Sequence, residues 1–442
     1  MHSFPHGIFT VSILGYKFYV VNSPRVTNLV QARSKYNGLG WVAVVVMGSM
    51  GGMPKRAMDL LFKGVERGDV GSAVGFVHGY HKVELRELSL GNSLNRMRRD
   101  FANEFEPLIE TLRKNVQKYQ GKVDIWEWLR KSITVSVGRG IWGPLNPYGT
   151  DPGLWEQFWI FDRSYHLLKY RFPRIFAPVG AVAREKIVDA FVEFGEKGGF
   201  ETASSLARGR AKILQETGLD KREVARMAVS QSVGQFDNTA AASFALLSWI
   251  LRDPELTQRI RTELEPVTKI NEQGRKVIDV YRVGDECPLL LSAFHEVLRC
   301  IAVGVTVRHV EQDYIFEIKS QNAQYLLRKG ALIWGSGVSI HTCSDFYEQP
   351  EKFIPDRFLD MKYPETQNSE LYRPFGGGGH ICLGRHFART IVPGAVGSLL
   401  MEFDFAPYKG QQLCVPKRSD LTLVHATPNP FGNVFACLKI RQ

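Results

Sequence analysis

The segment Phe375-Gly376-Gly377-Gly378-Gly379-His380-Ile381-Cys382-Leu383-Gly384 sets one cysteine behind four consecutive glycines. Glycines without a Cβ let a backbone lie flat against a planar partner. Cys382 follows at the expected mouth of a helix, where free N–H groups and the helix dipole favour thiolate over thiol. Gly384 leaves room on the other side. A phosphate-binding loop would need Gly-Lys-Ser/Thr after the glycines, and none occurs. A thiolate held beside a bare glycine surface suits ligation of a haem iron.

Three further groups of residues have types and spacing that carry chemistry. Gly234-Gln235-Phe236-Asp237-Asn238-Thr239 interrupts a helical pattern with residues that favour turns and caps. Glu296-Val297-Leu298-Arg299 places an acid and a base three residues apart, on one face of a helix. Pro355-Asp356-Arg357-Phe358 supplies a second arginine further along.

Together these motifs resemble the cytochrome P450 family. Phe375, Gly378, His380, Cys382 and Gly384 fill the family's haem-loop pattern, and Phe387-Ala388 follow as they often do. The resemblance implies haem b, with Cys382 as axial ligand of the iron. It implies contacts from Phe375, Gly376, Gly378, His380, Gly384 and Arg308, with His380 and Arg308 on the propionates. Arg98 and Arg99 are the candidates for a further propionate partner. Glu296, Arg299 and Arg357 are implied to form a buried charge network beneath the haem. The family's oxygen-binding helix pairs an acid with a threonine 16 residues before a helix-ending proline. Counting back from Pro254 gives Asn238, preceded by Asp237. Asp237, Asn238 and Thr239 are therefore the expected catalytic positions. Asn in place of the alcohol is similar to the sterol 7α-hydroxylase and prostacyclin synthase branch of the microsomal type.

The activity implied is insertion of oxygen from O2 into a hydrophobic small molecule such as a sterol, terpenoid, polyketide or lipid, including those of secondary metabolism. Electrons are expected from an NADPH-dependent cytochrome P450 reductase, with cytochrome b5 as a second donor. The alternatives are a haem-thiolate isomerase or dehydratase acting on a peroxide without reductase, and a non-catalytic haem or lipid carrier. Val233, Phe236, Ala302, Val303, Val305 and the Val424-His425 turn are the expected pocket residues.

The elements that must position these groups are mostly helical. Asp220-Lys221-Arg222-Glu223 reads as a capping box, and the next proline is Pro254. A helix over 220–252 would be about 50 Å long, with its weak segment, a possible distortion, midway. Helical periodicity runs from about 93 to 215, and helices are expected over 254–265, 288–300 and 383–403. Residues 8–14 and 18–21 read as a strand pair, with further strands near 304–310, 314–318, 331–334, 421–424 and 434–438. Residues 38–53 have no clear assignment, and 271–287 read as a polar loop. The fold class is mainly α with small β-sheets (α+β). The chain has 442 residues, and no linker divides it, so one domain over 1–442 is expected.

Composition narrows the partners. Lysine plus arginine exceeds aspartate plus glutamate by 11, in scattered positions. No zinc-finger or RNA-motif pattern accompanies the charge, which argues against nucleic acid. An acidic docking partner and a merely solvated surface both fit it. Six cysteines (Cys287, Cys300, Cys343, Cys382, Cys414, Cys437) contain no Cys-x-x-Cys pair, the usage of a reducing compartment. No signal peptide or spanning segment is readable. The resemblance implies the cytosolic face of the endoplasmic reticulum membrane, with the anchor missing from this sequence, or a cytoplasmic form.

Overall fold

The computed structural model describes residues 7–13, 15–21, 23–32, 36–63, 65, 75–168, 173–318, 322–361, 364–367, 370–411, 413, 426–430 and 432–441. The strand expected over 421–424, the Val424-His425 turn and Cys414 lie outside these residues, as does the side chain of Val305.

The long helix, Lys221–Ile250, runs through the middle of the core. Its start is the capping box read from the sequence. Glu223 N–H donates to Asp220 Oδ1 at 2.8 Å, and Asp220 N–H donates to Glu223 Oε2 at 2.9 Å. Most of its residues are buried, the pattern of a helix inside a large protein rather than on its surface. Four other helices pack around it: Ile125–Trp142, Pro178–Glu196, Pro288–Ile301 and Arg385–Glu402. A fifth, Gly40–Gly51, comes so close that a Cβ on Gly51 would stand 2.6 Å from the Arg226 carbonyl oxygen. That contact accounts for part of the glycine-rich stretch that had no clear assignment.

No break interrupts the long helix at its weak segment. The expected distortion is absent because the polar side chains bond elsewhere. Asn238 Oδ1 accepts from Thr427 N–H at 3.1 Å, and Asp237 Oδ1 accepts from Asn429 Nδ2 at 2.8 Å. Thr239 donates to the Gln235 carbonyl one turn back, at 2.9 Å. Tertiary packing overrides propensity here.

The strands are peripheral. Ile8–Ile13 and Tyr16–Val21 form a hairpin, and Leu332–Ser336 joins it in parallel, with Leu332 opposite Phe18. Val305–Val310 adds antiparallel, with Arg308 opposite Ile333, and Asn37–Gly38 closes the sheet. Phe403–Pro407, Phe435–Ile440 and Lys122–Asp124 form a second sheet. Residues 271–287 are not a plain loop: the hairpin Thr268–Ile270/Lys276–Ile278 is followed by the helix Val280–Glu286. Among the described residues, no helix is long and apolar enough to cross a membrane.

Candidate active site

The cysteine loop leads directly into the helix Arg385–Glu402. Cys382 N–H donates to the Phe375 carbonyl at 2.8 Å, which closes the glycine segment into a tight loop. Gly376 and Gly378 have φ of +77° and +67°, a left-handed backbone that favours glycine. Around Gly379 an added Cβ would meet no protein atom within 4 Å. At Gly384, by contrast, φ is −73° and a Cβ would make ordinary contact with Cys382 Sγ at 3.7 Å. The chain itself therefore imposes no glycine at 384.

Cys382 is accessible, yet protein crowds it enough for burial to push its thiol pKa up. A side chain both accessible and enclosed lines an internal space. Backbone N–H groups of Gly384 and Arg385 favour the thiolate, but burial outweighs them. The helix mouth thus does not by itself lower the pKa as the sequence reading expected.

The edge of the loop carries a buried arginine and a histidine. Arg308 is 6% exposed, and its donors reach only the carbonyls of Val307 (2.9 Å) and Gly377 (3.4 Å). Burial, then Arg373, brings its pKa down to about 10. His380 lies with its ring 6.1 Å from that of His81, and its buried Nε2 has no hydrogen-bond partner. Burial, then Arg308 and His81, brings His380 down to about 4. Arg98 is also buried and donates to the His386 carbonyl at 2.6 Å, whereas Arg99 turns to solvent.

Behind the loop, Glu296 and Arg299 are both fully buried and form a two-pronged ion pair, 2.8 Å on each prong. Arg357 Nε reaches the same carboxylate at 3.0 and 3.1 Å. Arg299 also donates to the carbonyls of His341 (2.7 Å), Pro350 (2.8 Å) and Lys352 (3.0 Å). His341 Nε2 then accepts from Arg373 N–H at 2.9 Å, and the Arg373 carbonyl accepts from Gly376 N–H at 3.1 Å. A continuous chain of hydrogen bonds thus runs from the charge network to the glycine loop.

The pocket expectations divide. Phe236 faces away from any opening: it is fully buried, edge-on to Tyr148 and Phe158 at ring distances of 5.0 and 5.1 Å. Val233 is also core. A 100° turn per residue means that a core-facing Phe236 leaves the opposite side of the helix to face the internal space. There Gly234 is exposed, with no atom within 4 Å of an added Cβ, and Asn238, one turn on, is half-buried. Ala302 and Val303 are buried beneath the tail, and Val303 N–H donates to the Ala426 carbonyl at 2.8 Å. Sequence reasoning missed Gln235, whose buried amide has neither its oxygen nor its nitrogen bonded. Its signal was its place in the weak segment, three residues before Asn238.

The family model described as cytochrome P450 matches residues 196–431, more than half of the chain. The chain belongs to the cytochrome P450 family. Cytochrome P450 monooxygenase nodJ of Hypoxylon pulicicidum is 28% identical over 366 residues, covering 80% of this chain and 69% of that protein. A cytochrome P450 monooxygenase of Gibberella zeae is 24% identical over 424 residues, covering 91% and 76%. Retinoic acid-bound cyanobacterial CYP120A1 has the same fold, with a TM-score of 0.71 at 18% identity over 98% of this chain and 92% of that one.

This P450 is an oxidoreductase that incorporates molecular oxygen, and its family works with haem and a redox partner. The residues present fit that cofactor. The thiol of Cys382 is accessible beside the bare surface at Gly379, the buried Arg308 has no carboxylate partner among the described residues, and His380 Nε2 is unbonded, so both could meet propionates. Among the described residues no cluster of three or more His, Cys, Asp or Glu could hold a separate metal ion.

Proposed function

We propose that this P450 is a haem-thiolate monooxygenase that hydroxylates a hydrophobic small molecule, such as a sterol, terpenoid, polyketide or lipid. Cys382 would ligate the iron of haem b, and Arg308 and His380 would pair with its propionates. The bound group supplies dioxygen activation, assisted by electron donation from the thiolate. The observation that carries this reading is the unbalanced corner beside Cys382: a buried arginine, Arg308, bonded to two backbone carbonyls and to no carboxylate among the described residues, next to the unbonded ring nitrogen of His380. Burying charge without a partner is costly, so such a corner is built for an anion.

The chain's own residues do the rest. Asp237 is buried at the middle of the long helix and is the acid closest in sequence to the exposed strip of Gly234 and Asn238. It is the candidate to hand on protons. Asn238 is committed to Thr427 N–H, so its role is to fasten the tail segment over the pocket rather than to replace the usual alcohol. Thr239 keeps its hydroxyl hydrogen on Gln235. Gln235 offers an unbonded amide to substrate or water. Apolar Ala302 and Val303 border the tail and favour a hydrophobic substrate.

The electron donor is proposed to be an NADPH-cytochrome P450 reductase, with cytochrome b5 as a second donor, at the cytosolic face of the endoplasmic reticulum. The surplus of 11 positive charges suits an acidic docking face. Turnover with reductase, NADPH and isotopically labelled dioxygen against a panel of lipids and terpenoids tests the reading. Label in the product supports a monooxygenase. Product formed without NADPH and without label would instead make the enzyme an isomerase.

A further inference from the structure

A cleft far from the cysteine loop takes no part in the site described so far. Three elements enclose most of it. The helix Asn92–Lys118 sets Ala102, Phe105, Ile109 and Arg113 along one face, at three- and four-residue steps. The hairpin Thr268–Ile270/Lys276–Ile278 forms the opposite wall, and the last turn of the helix Arg385–Glu402 forms a third side. The space between them is about 370 Å³, within the range of small-ligand sites. The helix Arg385–Glu402 has 18 residues, so its cleft end stands about 25 Å from the end beside Cys382. A small occupant of the cleft does not reach the cysteine.

The floor is apolar. Phe105, Ile109, Ile278 and Val280 are buried there, and the partly buried Ala102 and Met401 pack beside them on the main core. The rim is charged, with a cationic surplus: Arg113, Lys269, Arg275, Lys276 and Arg441 against Glu106, Glu265 and Glu402. Two acids just outside, Glu110 and Asp404, do not cancel it, because carboxylates are shared. Glu402 serves Arg113 and Arg275, Glu110 serves Arg275 and Lys114, and Asp404 serves Arg261 and Arg441. The other pairs are Lys269–Glu106 at 3.8 Å and Lys276–Glu265 at 2.5 Å. Partly solvated ion pairs of this kind hold their partners weakly, so these cations can take on a further anion. A surplus of one sign in a cleft concentrates the opposite charge there.

We propose that this cleft is an accessory binding site for a small amphipathic anion, an organic carboxylate on a short aromatic or aliphatic body. The carboxylate lies among Arg113, Lys269 and Arg275, and the body lies on Phe105, Ile109 and Met401. An inorganic anion would leave the apolar floor wet, and a neutral hydrocarbon would leave the cationic surplus unused. Lys269, Lys276 and Glu265 are exposed at the mouth, so the ligand enters from water. The site is separate from the haem pocket and does not depend on the monooxygenase reading.

Calorimetric titration of the haem-loaded protein with phenylbutyrate tests the proposal. An azole is kept on the iron throughout, so that the haem pocket is filled. Phenylbutanamide, similar in shape and uncharged, is the control. The expected result is one saturable site for the acid, with the amide at least about tenfold weaker. K269Q/R275Q should weaken the acid by about tenfold and leave the amide unchanged. A102W, which fills the cleft, should abolish binding of both. No saturable binding, equal affinity for acid and amide, or an unaltered affinity in A102W would overturn the proposal. So would acid binding that disappears when the azole is added, since that places the acid in the haem pocket. Should A102W fail to fold, K269Q/K276Q, at two exposed positions, keeps the test: it must weaken the acid, and unchanged affinity would refute the site.

Discussion

Two groups of polar side chains connect to the glycine loop by hydrogen bonds, and they are built in opposite ways. In the first, Glu296, Arg299 and Arg357 combine unlike charges, and the arginine donors end on the carboxylate, on backbone carbonyls and on Cys300 Sγ. In the second, Arg308 has no carboxylate partner among the described residues, and burial holds the neighbouring His380 neutral, its pKa brought down to about 4. A charge group that balances within the chain is a scaffold. One that balances only with a partner is a receptor.

The largest effect is expected from breaking the scaffold. Glu296→Ala leaves Arg299 buried without its carboxylate and should cost about 3–5 kcal/mol, the usual result of removing one partner of a buried pair. Thermal unfolding and haem content should fall together. Retention of both would mean that the network does not support the loop.

Acid provides the next separation. His295 is fully buried on the scaffold side, with Nδ1 3.0 Å from Tyr372 Oη, and burial, then Arg389, lowers its pKa to about 3. The unfolded chain binds this proton near pH 6.5, while the folded chain stays neutral until about pH 3. Stability from this group is therefore present above pH 6.5 and is lost as pH falls through that window. The loss should be on the order of 2–4 kcal/mol, and H295Q should flatten it in denaturation curves.

Breaking the receptor should look different. Arg308→Ala should leave the haem-free protein as stable as before or more so, because it removes an unpaired buried cation. Haem affinity should drop by about 10- to 100-fold in spectral titrations, the range for a hydrogen-bonded charge. Equal losses in both measurements would place Arg308 with the scaffold.

The smallest effects sharpen the contrast inside the loop. Gly378→Ala should cost about 1–2 kcal/mol even without haem, since its backbone is left-handed. Gly379→Ala should change haem-free stability by less than about 0.5 kcal/mol, because no protein atom is near, while lowering haem content. A Gly379→Ala protein that binds haem normally would show that the bare surface is not required.

The long helix, the Glu-x-x-Arg helix and the loop were legible because local signals fixed them: a capping box, an i,i+3 pair, a run of glycines. The helix Gly40–Gly51 was not, since close packing on Arg226 rather than periodicity selects its glycines. The segment at 276–286 was hidden because its strands and helix are short. Phe236 was misplaced for another reason: periodicity says that a helix has faces but not which neighbour each face meets.

The most direct test is the carbon monoxide difference spectrum of the reduced, haem-reconstituted enzyme, alongside that of Cys382→Ser. The thiolate-ligated band should appear in the natural protein and vanish in the variant. An imidazole-type band in the natural protein, or an unchanged thiolate band in Cys382→Ser, would contradict the assignment of Cys382 to the iron.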